Sequence, residues 1–136
     1  MTLRPATNAD RDAIAALLAH HRLPLDGFRV DDATVAVAND GTLLGLAALE
    51  RYDGAALLRS VAVADAGQGV GATLVRHLLG QADAEGRRVV LLTTTADGYF
   101  PRFGFSVVSR DEVPASVQAS EEFRGACPAS AVAMMR

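Results

Sequence analysis

Three glycines at alternate positions, Gly67, Gly69 and Gly71, follow the apolar run Val61-Ala62-Val63-Ala64 and open a helix-like pattern, Val70-Gly71-Ala72-Thr73-Leu74-Val75. Glycine adopts backbone conformations closed to other residues, so such a turn can aim several N–H groups at one point. A helix that starts there adds unpaired N–H groups and a partial positive charge. The chemistry on offer is anion binding, most often of a phosphate or pyrophosphate. A second candidate is Arg59, a cation inside the apolar run Leu57-Leu58-Arg59-Ser60-Val61. Such a charge needs a partner. It either grips a substrate carboxylate or phosphate, or pairs across the sheet, for example with Glu50. Thr93, Thr94 and Thr95 alternate across a strand, so one or two could face a substrate, although strand propensity alone accounts for them.

These residues need a scaffold, and the hydrophobic pattern supplies one. Thr2 to Ala6 reads as a short strand, and Ile14, Leu17 and Leu18 mark an amphipathic helix from Asp10 to about Ala19. Residues 34–38, 43–51 and 55–64 read as three strands joined by Asn39-Asp40-Gly41 and Asp53-Gly54 turns, an antiparallel meander. From Val70 the period changes, and Leu74, Leu78 and Leu79 carry a helix to about Ala84. Arg88 to Thr94 follows as a buried strand, which makes this part a parallel βαβ crossover. Thr95 or Asp97 is placed to cap a short helix that ends at Gly104. Strands are expected at Phe105–Ser109 and Ser130–Met135, with a helix start near Pro114 between them. The whole of 1–136 reads as one mixed α/β domain.

Composition narrows the partners. The chain has 136 residues, half of them hydrophobic, and a net charge of −3. Without a basic excess there is little to neutralise a phosphate backbone, so no nucleic-acid partner is expected. The single cysteine, Cys127, cannot form an internal disulfide or a thiolate zinc site, and His20, His21 and His77 lack ligand spacing, so no metal is expected. These histidines read as solvated helix residues. The N-terminus is polar and mixed in charge rather than signal-like, and no uncharged apolar run approaches about 18 residues, so no membrane is expected and the cytosol is the default.

Several identities compete for the glycine turn. A nucleotide-hydrolysing P-loop requires Lys-Ser/Thr after the last glycine, where this chain has Ala72-Thr73. A dinucleotide fingerprint can be laid on Gly67, Gly69 and Ala72, but it belongs at the first turn of a larger parallel sheet, not after an antiparallel meander. A turn that binds nothing is the third reading.

Gly67-Gln68-Gly69-Val70-Gly71, after Ser60-Val61-Ala62-Val63, resembles the acetyl-CoA loop of the GNAT acetyltransferase superfamily. Tyr99-Phe100-Pro101-Arg102-Phe103-Gly104-Phe105 resembles its aromatic second signature. Leu91-Leu92-Thr93-Thr94-Thr95 with Tyr99-Phe100 is similar to the acetyltransferase domain of amino-acid (glutamate) N-acetyltransferases. The tail, Pro114-Ala115-Ser116-Val117, Glu122-Phe123 and Cys127-Pro128-Ala129-Ser130-Ala131-Val132, resembles the small acetyltransferases associated with arsenic-resistance clusters. The resemblance implies a GNAT fold: an antiparallel N-terminal meander and a parallel βαβ C-terminal half, splayed at mid-sheet. It implies acetyl-CoA as cosubstrate. Val61, Ala62 and Val63 would take the pantetheine arm, and Gln68, Gly69, Val70, Gly71 and Ala72 the pyrophosphate. Tyr99, Phe100 and Arg102 would flank the arm, and Arg59, Thr93 and Thr94 would face a small amine, an amino-acid-like one among the candidates. Glu50 takes the place where the superfamily often sets a carboxylate base, its alternative being a surface glutamate paired with Arg51 or Arg59. Two departures stand against the family pattern: Phe100 occupies the position of a tyrosine acid, and Ala66 replaces the polar residue heading the loop. They leave open a non-catalytic acetyl-CoA-binding module. The tail strand could also pair between chains in a homodimer.

Overall fold

A computed structural model describes residues 1–136. Its strands are β1 (Thr2–Pro5), β2 (Ala33–Val37), β3 (Leu43–Tyr52), β4 (Ala55–Val63), β5 (Arg88–Thr93), β6 (Ser106–Val108) and β7 (Val132–Met135). They form one seven-stranded sheet in the order β1-β2-β3-β4-β5-β7-β6. The helices are α1 (Arg11–His20), α2 (Val70–Ala84) and α3 (Ala115–Gln118).

The meander forms as its turns require. Gly41 takes a φ of +87° in the first hairpin, and the Asp40 carboxylate accepts the Thr42 N–H at 3.0 Å, the local bond that makes aspartate a turn residue. Side-chain alternation then assigns faces. Leu46 and Ala48 of β3 pack with Ile14 and Leu18 of α1. Ala47 and Leu49 point the other way, against Leu74, Leu78 and Ala82 of α2. The face that carries α1 also carries α3 further along, where Leu57 and Val90 meet Val113 and Val117. The domain is therefore a sheet between two helical layers, each burying one stripe. Packing against backbone demands glycine at position 45: a Cβ there would lie 2.9 Å from the Ala62 carbonyl oxygen and 3.0 Å from Val70 Cγ1.

The sheet is mixed, as expected, but its parallel part is one pair. β4 and β5 run parallel across the α2 crossover, while β5–β7 and β7–β6 are antiparallel. The tail returns between β5 and β6 and fills the slot that a second parallel strand would take. Consequently β7 has both edges paired within the chain, and the expected pairing of the tail with a second copy has no edge to use. The short helix before Gly104 is a single tight turn at Phe100–Phe103. Its approach is fixed by Thr93 Oγ1, which accepts the Ala96 N–H at 3.0 Å, rather than by a cap at Thr95 or Asp97.

Candidate active site

The site begins where β4 and β5 stop pairing. They are in register over Ala55↔Arg88, Ala56↔Val89 and Leu57↔Val90, and no further. The cause lies on the other side of β4. Ala48 pairs with Arg59 and Leu46 with Ala62, so Ser60 and Val61 together stand opposite Ala47. This is a β-bulge, and its extra residue bends the strand. Ser60 takes the left-handed conformation, φ +58°, that the bulge needs. Beyond it β4 leaves β5, and a cavity of about 660 Å³ opens between them.

Backbone alternation decides what the β4 edge offers. Ala64 N–H donates to the Leu44 carbonyl at 2.9 Å, so the N–H and C=O groups of Val63 and Val61 turn away from β3 into the cleft. The Val63 carbonyl is met there by His21 Nε2 at 2.8 Å. A carbonyl only accepts, so this nitrogen carries the proton. His21, expected to be a solvated helix residue, thus closes one corner of the cleft.

At the mouth lies the glycine turn. Gly67 and Gly69 have φ of +84° and +74°, and a Cβ on either would meet nothing within 4 Å. Conformation, not crowding, requires glycine at both. Gly69 caps α2 without a side-chain bond, and the next N–H to find a carbonyl is that of Thr73, bonded to Gly69. The amides of the first turn remain available to an anion. Beside them stands Tyr99, whose hydroxyl lies 3.7 Å from the place of a Cβ on Gly71. The Arg102 guanidinium stacks 4.3 Å from the Tyr99 ring centre, and its Nε donates to the Tyr99 carbonyl at 2.8 Å. A cation fixed in this way faces the same cavity.

The residues expected on this cavity stand on it: Arg59 and the edge Val61–Val63 of β4, the turn from Gln68 to Ala72, Tyr99, Phe100 and Arg102, and on the other lip Thr93 and Thr94. Phe100 contributes an edge while most of its ring is core, packed with Phe103 and Phe105. Thr93 has its hydroxyl engaged by Ala96, which leaves Thr94 the freer of the two.

Glu50 does not line this cavity. It borders a smaller polar recess of about 300 Å³ together with Asp32, Arg51, Tyr52 and Glu121. Its Oε2 takes Arg59 Nη1 at 2.8 Å, and its Oε1 takes the Tyr52 hydroxyl at 2.5 Å. Each oxygen accepts one of these bonds, so of the two readings of Glu50 the pair with Arg59 is the one present, and this carboxylate stands off the larger cavity. Arg59 is equally committed. Its side chain has no exposed surface, Nη1 also reaches the Asp26 carbonyl at 2.8 Å and Nη2 the Pro24 carbonyl at 3.0 Å, and Nε lies 3.3 Å from Glu122 Oε2. Of the two readings of Arg59, the cross-sheet pair with Glu50 is the one present.

Glu122 is the residue that sequence reasoning missed as chemistry. Its side chain is 5 % exposed, and it stands on the cavity wall with Cys127. Burial, and the nearby charge of Glu50, push its carboxyl up to about 7 against the opposing pull of Arg59. Burial and the same carboxylate push the Cys127 thiol up to about 12. The one signal in the sequence was the acidic pair Glu121-Glu122 beside an aromatic, which resembles any solvated turn.

A sheet parted by a bulge, with a helix N-terminus at one end of the gap and a bare strand edge along it, defines a class of α/β domain that seats an extended, anion-ended ligand. Within that class, this chain belongs to the acetyltransferase (GNAT) family, whose family model matches residues 7–105. Among solved structures, the chain is similar to N-acetylglutamate synthase from Neisseria gonorrhoeae complexed with coenzyme A and N-acetyl-glutamate. The two are 25 % identical with a TM-score of 0.82, over 99 % of this chain and 34 % of that one. It is similar also to Rv2747 from Mycobacterium tuberculosis in complex with CoA, at 25 % identity and a TM-score of 0.81, over 99 % of this chain and 98 % of that one. YhbS from Escherichia coli in complex with CoA is 26 % identical with a TM-score of 0.63, over 78 % of this chain and 68 % of that one. The chain thus spans about a third of the gonococcal synthase and nearly all of the mycobacterial protein. No curated protein sequence matches it.

Proposed function

We propose that this chain is an acetyl-CoA-dependent N-acetyltransferase acting on the primary amine of a small molecule. The observation that carries the reading is one continuous cavity joining the glycine turn, the free edge of β4 and the lip of β5. The residues present fit acetyl-CoA: an N-terminal helix turn and Arg102 suit its phosphates, and the Val61 and Val63 backbone suits the amides of its arm. When bound, acetyl-CoA supplies an activated acetyl group as a thioester.

The chain's own residues do the rest. The bulge holds β4 apart from β5, so the groove exists before any ligand enters and little ordering is spent on binding. Residues of the β5 lip and of the wall formed by Glu122, Cys127 and Pro128 bound the acceptor side. Orientation of two substrates in one cleft can lower a barrier by roughly 7–11 kcal/mol in ideal cases. Arg59 is engaged on every side, so a substrate carboxylate, if present, must find another cation, and glutamate, whose N-acetyl form is bound in the gonococcal synthase, is one member of a wider panel. This reading places the enzyme in the cytosol, where acetyl-CoA is available.

The test is calorimetric titration with CoA, followed by thiol release from acetyl-CoA against amines. The panel holds L-glutamate, L-glutamine, simple alkylamines and an organoarsenical amine, the last because the tail resembles the arsenic-cluster acetyltransferases. Saturable thiol release that depends on one class of amine is expected. Tight CoA binding with no amine-dependent release would instead mark a non-catalytic acetyl-CoA-binding module.

A further inference from the structure

Glu50 borders the smaller recess and not the cavity, so the transferase reading needs a group on the cavity wall to receive the proton that an amine must lose before it can attack. We propose that Glu122 is that proton acceptor and so the catalytic base of this chain. The inference rests on the proposed acetyltransferase activity.

The geometry is specific. Arg59 stands between two carboxylates, Glu50 at 2.8 Å from Nη1 and Glu122 at 3.3 Å from Nε. One guanidinium neutralises one of them. Glu50 has the shorter contact and a second donor in the Tyr52 hydroxyl. Glu122 shares a cation that is already spoken for, and it is the carboxylate that changes state. It also lines the cavity, which Glu50 does not.

Its segment is built to hold it there. Residues 122–126 wind one wide turn, with Cys127 N–H bonded to the Glu122 carbonyl at 3.3 Å and Ala126 N–H to the Glu121 carbonyl at 3.0 Å. Phe123, half-buried, packs the turn against the core beside α3, under the Arg110 guanidinium at 5.7 Å. The charged and titratable groups facing Glu122 are Arg59 of β4, Glu50 of β3 and Cys127 of its own turn. The carboxyl of Glu122 is set near neutrality, where a base both accepts and returns a proton readily.

The step balances as follows. The substrate ammonium gives one proton to the Glu122 carboxylate, which passes it to solvent. The neutral nitrogen forms a C–N bond to the thioester carbonyl carbon, and the C–S bond breaks with its electron pair on sulfur. The second nitrogen proton goes to that sulfur, so the products are an amide, a thiol and one proton. No tyrosine acid is required, which fits Phe100 at the position where the family pattern has one.

The experiment is the pH profile of kcat/KM on the best amine of the panel, for the wild type, Glu122→Gln and Glu50→Gln. The wild type should show an acid limb centred near 7. Glu122→Gln should lose that limb and fall by on the order of 10²–10⁴-fold, with CoA affinity by calorimetry within about twofold, because the assigned role lies on the acceptor side of the cleft. Glu50→Gln should keep the limb. A Glu122→Gln enzyme that keeps the limb and most of its rate overturns the assignment while leaving the transferase reading intact. A wild type that binds CoA but acetylates nothing overturns both. Should Glu122→Gln fail to fold, the wild-type carboxyl carbon followed by NMR decides: a midpoint near 7 supports the base, and one in the ordinary carboxylate range overturns it.

Discussion

Arg59 interrupts a run of apolar residues with a charge that no solvent reaches. Removing it would strand two carboxylates, so Arg59→Met should destabilise the fold by about 3–5 kcal/mol, measured by urea unfolding at pH 7. Glu122 carries a stability signature of its own. Its folded-state carboxyl lies near 7, above the ordinary value of 4.5, so the folded chain binds the proton more tightly than the unfolded chain. The stability this gives is complete below about pH 4.5 and is lost as pH rises toward 7. The whole effect is on the order of 3 kcal/mol. Glu122→Gln should therefore match the wild type near pH 4.5 and become the more stable of the two by pH 8, in paired denaturation curves. The Cys127 thiol, held up to about 12, should react with iodoacetamide at pH 8 at least about 100-fold more slowly than the unfolded chain, since only the thiolate attacks. The sequence made Arg59 legible as a charge in need of a partner and made Glu50 one candidate. It could not show Glu122, because 63 positions separate the two and only the return of the tail brings them together. Nor could it show the carbonyls of Pro24 and Asp26, since any backbone oxygen is an acceptor.

The bulge, the glycine turn and the first turn of α2 act as one device. Gly45 lets α2 lie close enough to β3 for its N-terminus to face the cleft. Gly45→Ala should cost about 1–3 kcal/mol, because its nearest obstacle is a carbonyl of the next strand rather than a flexible side chain. Gly71 differs. Its φ is ordinary and a Cβ there makes only van der Waals contacts, at 3.4 Å and beyond. Gly71→Asp should therefore fold, since an acid in the first turn suits a helix. It would place that acid in the proposed phosphate seat, and CoA affinity should fall at least about tenfold in calorimetry. The turn and the helix were plain in the sequence, because glycine spacing and the 3.6-residue period are local properties. The splay came into view only through family resemblance. Which edge of β4 goes unpaired depends on a bulge opposite Ala47, and no residue type announces it. Phe100 does both, giving an edge to the cavity and most of its ring to the core, a division its spelling cannot show.

At the scale of the whole molecule, the order of strands in space departs from their order in the chain at one place. β7 lies between β5 and β6, although it follows both in sequence. The meander needs only neighbours in sequence, and it was readable from turns alone. The tail was not, because a strand's own residues specify its pleat and not its slot. The interposition also bears on time. Until β7 arrives, β5 and β6 each expose an edge, and the wall that carries Glu122 has nothing to close against. The longest-range pairings of the sheet, from β5 to β7, must then form late, after the entropy of closing that loop has been lost. A change in β7 should act on unfolding far more than on folding. For Met134→Ala, which removes a fully buried side chain, stopped-flow chevrons should show a faster unfolding arm and a nearly unmoved folding arm. The cleft would thus be the last part of the domain to assemble, and a nascent or damaged chain would lose its acceptor wall before it lost its sheet.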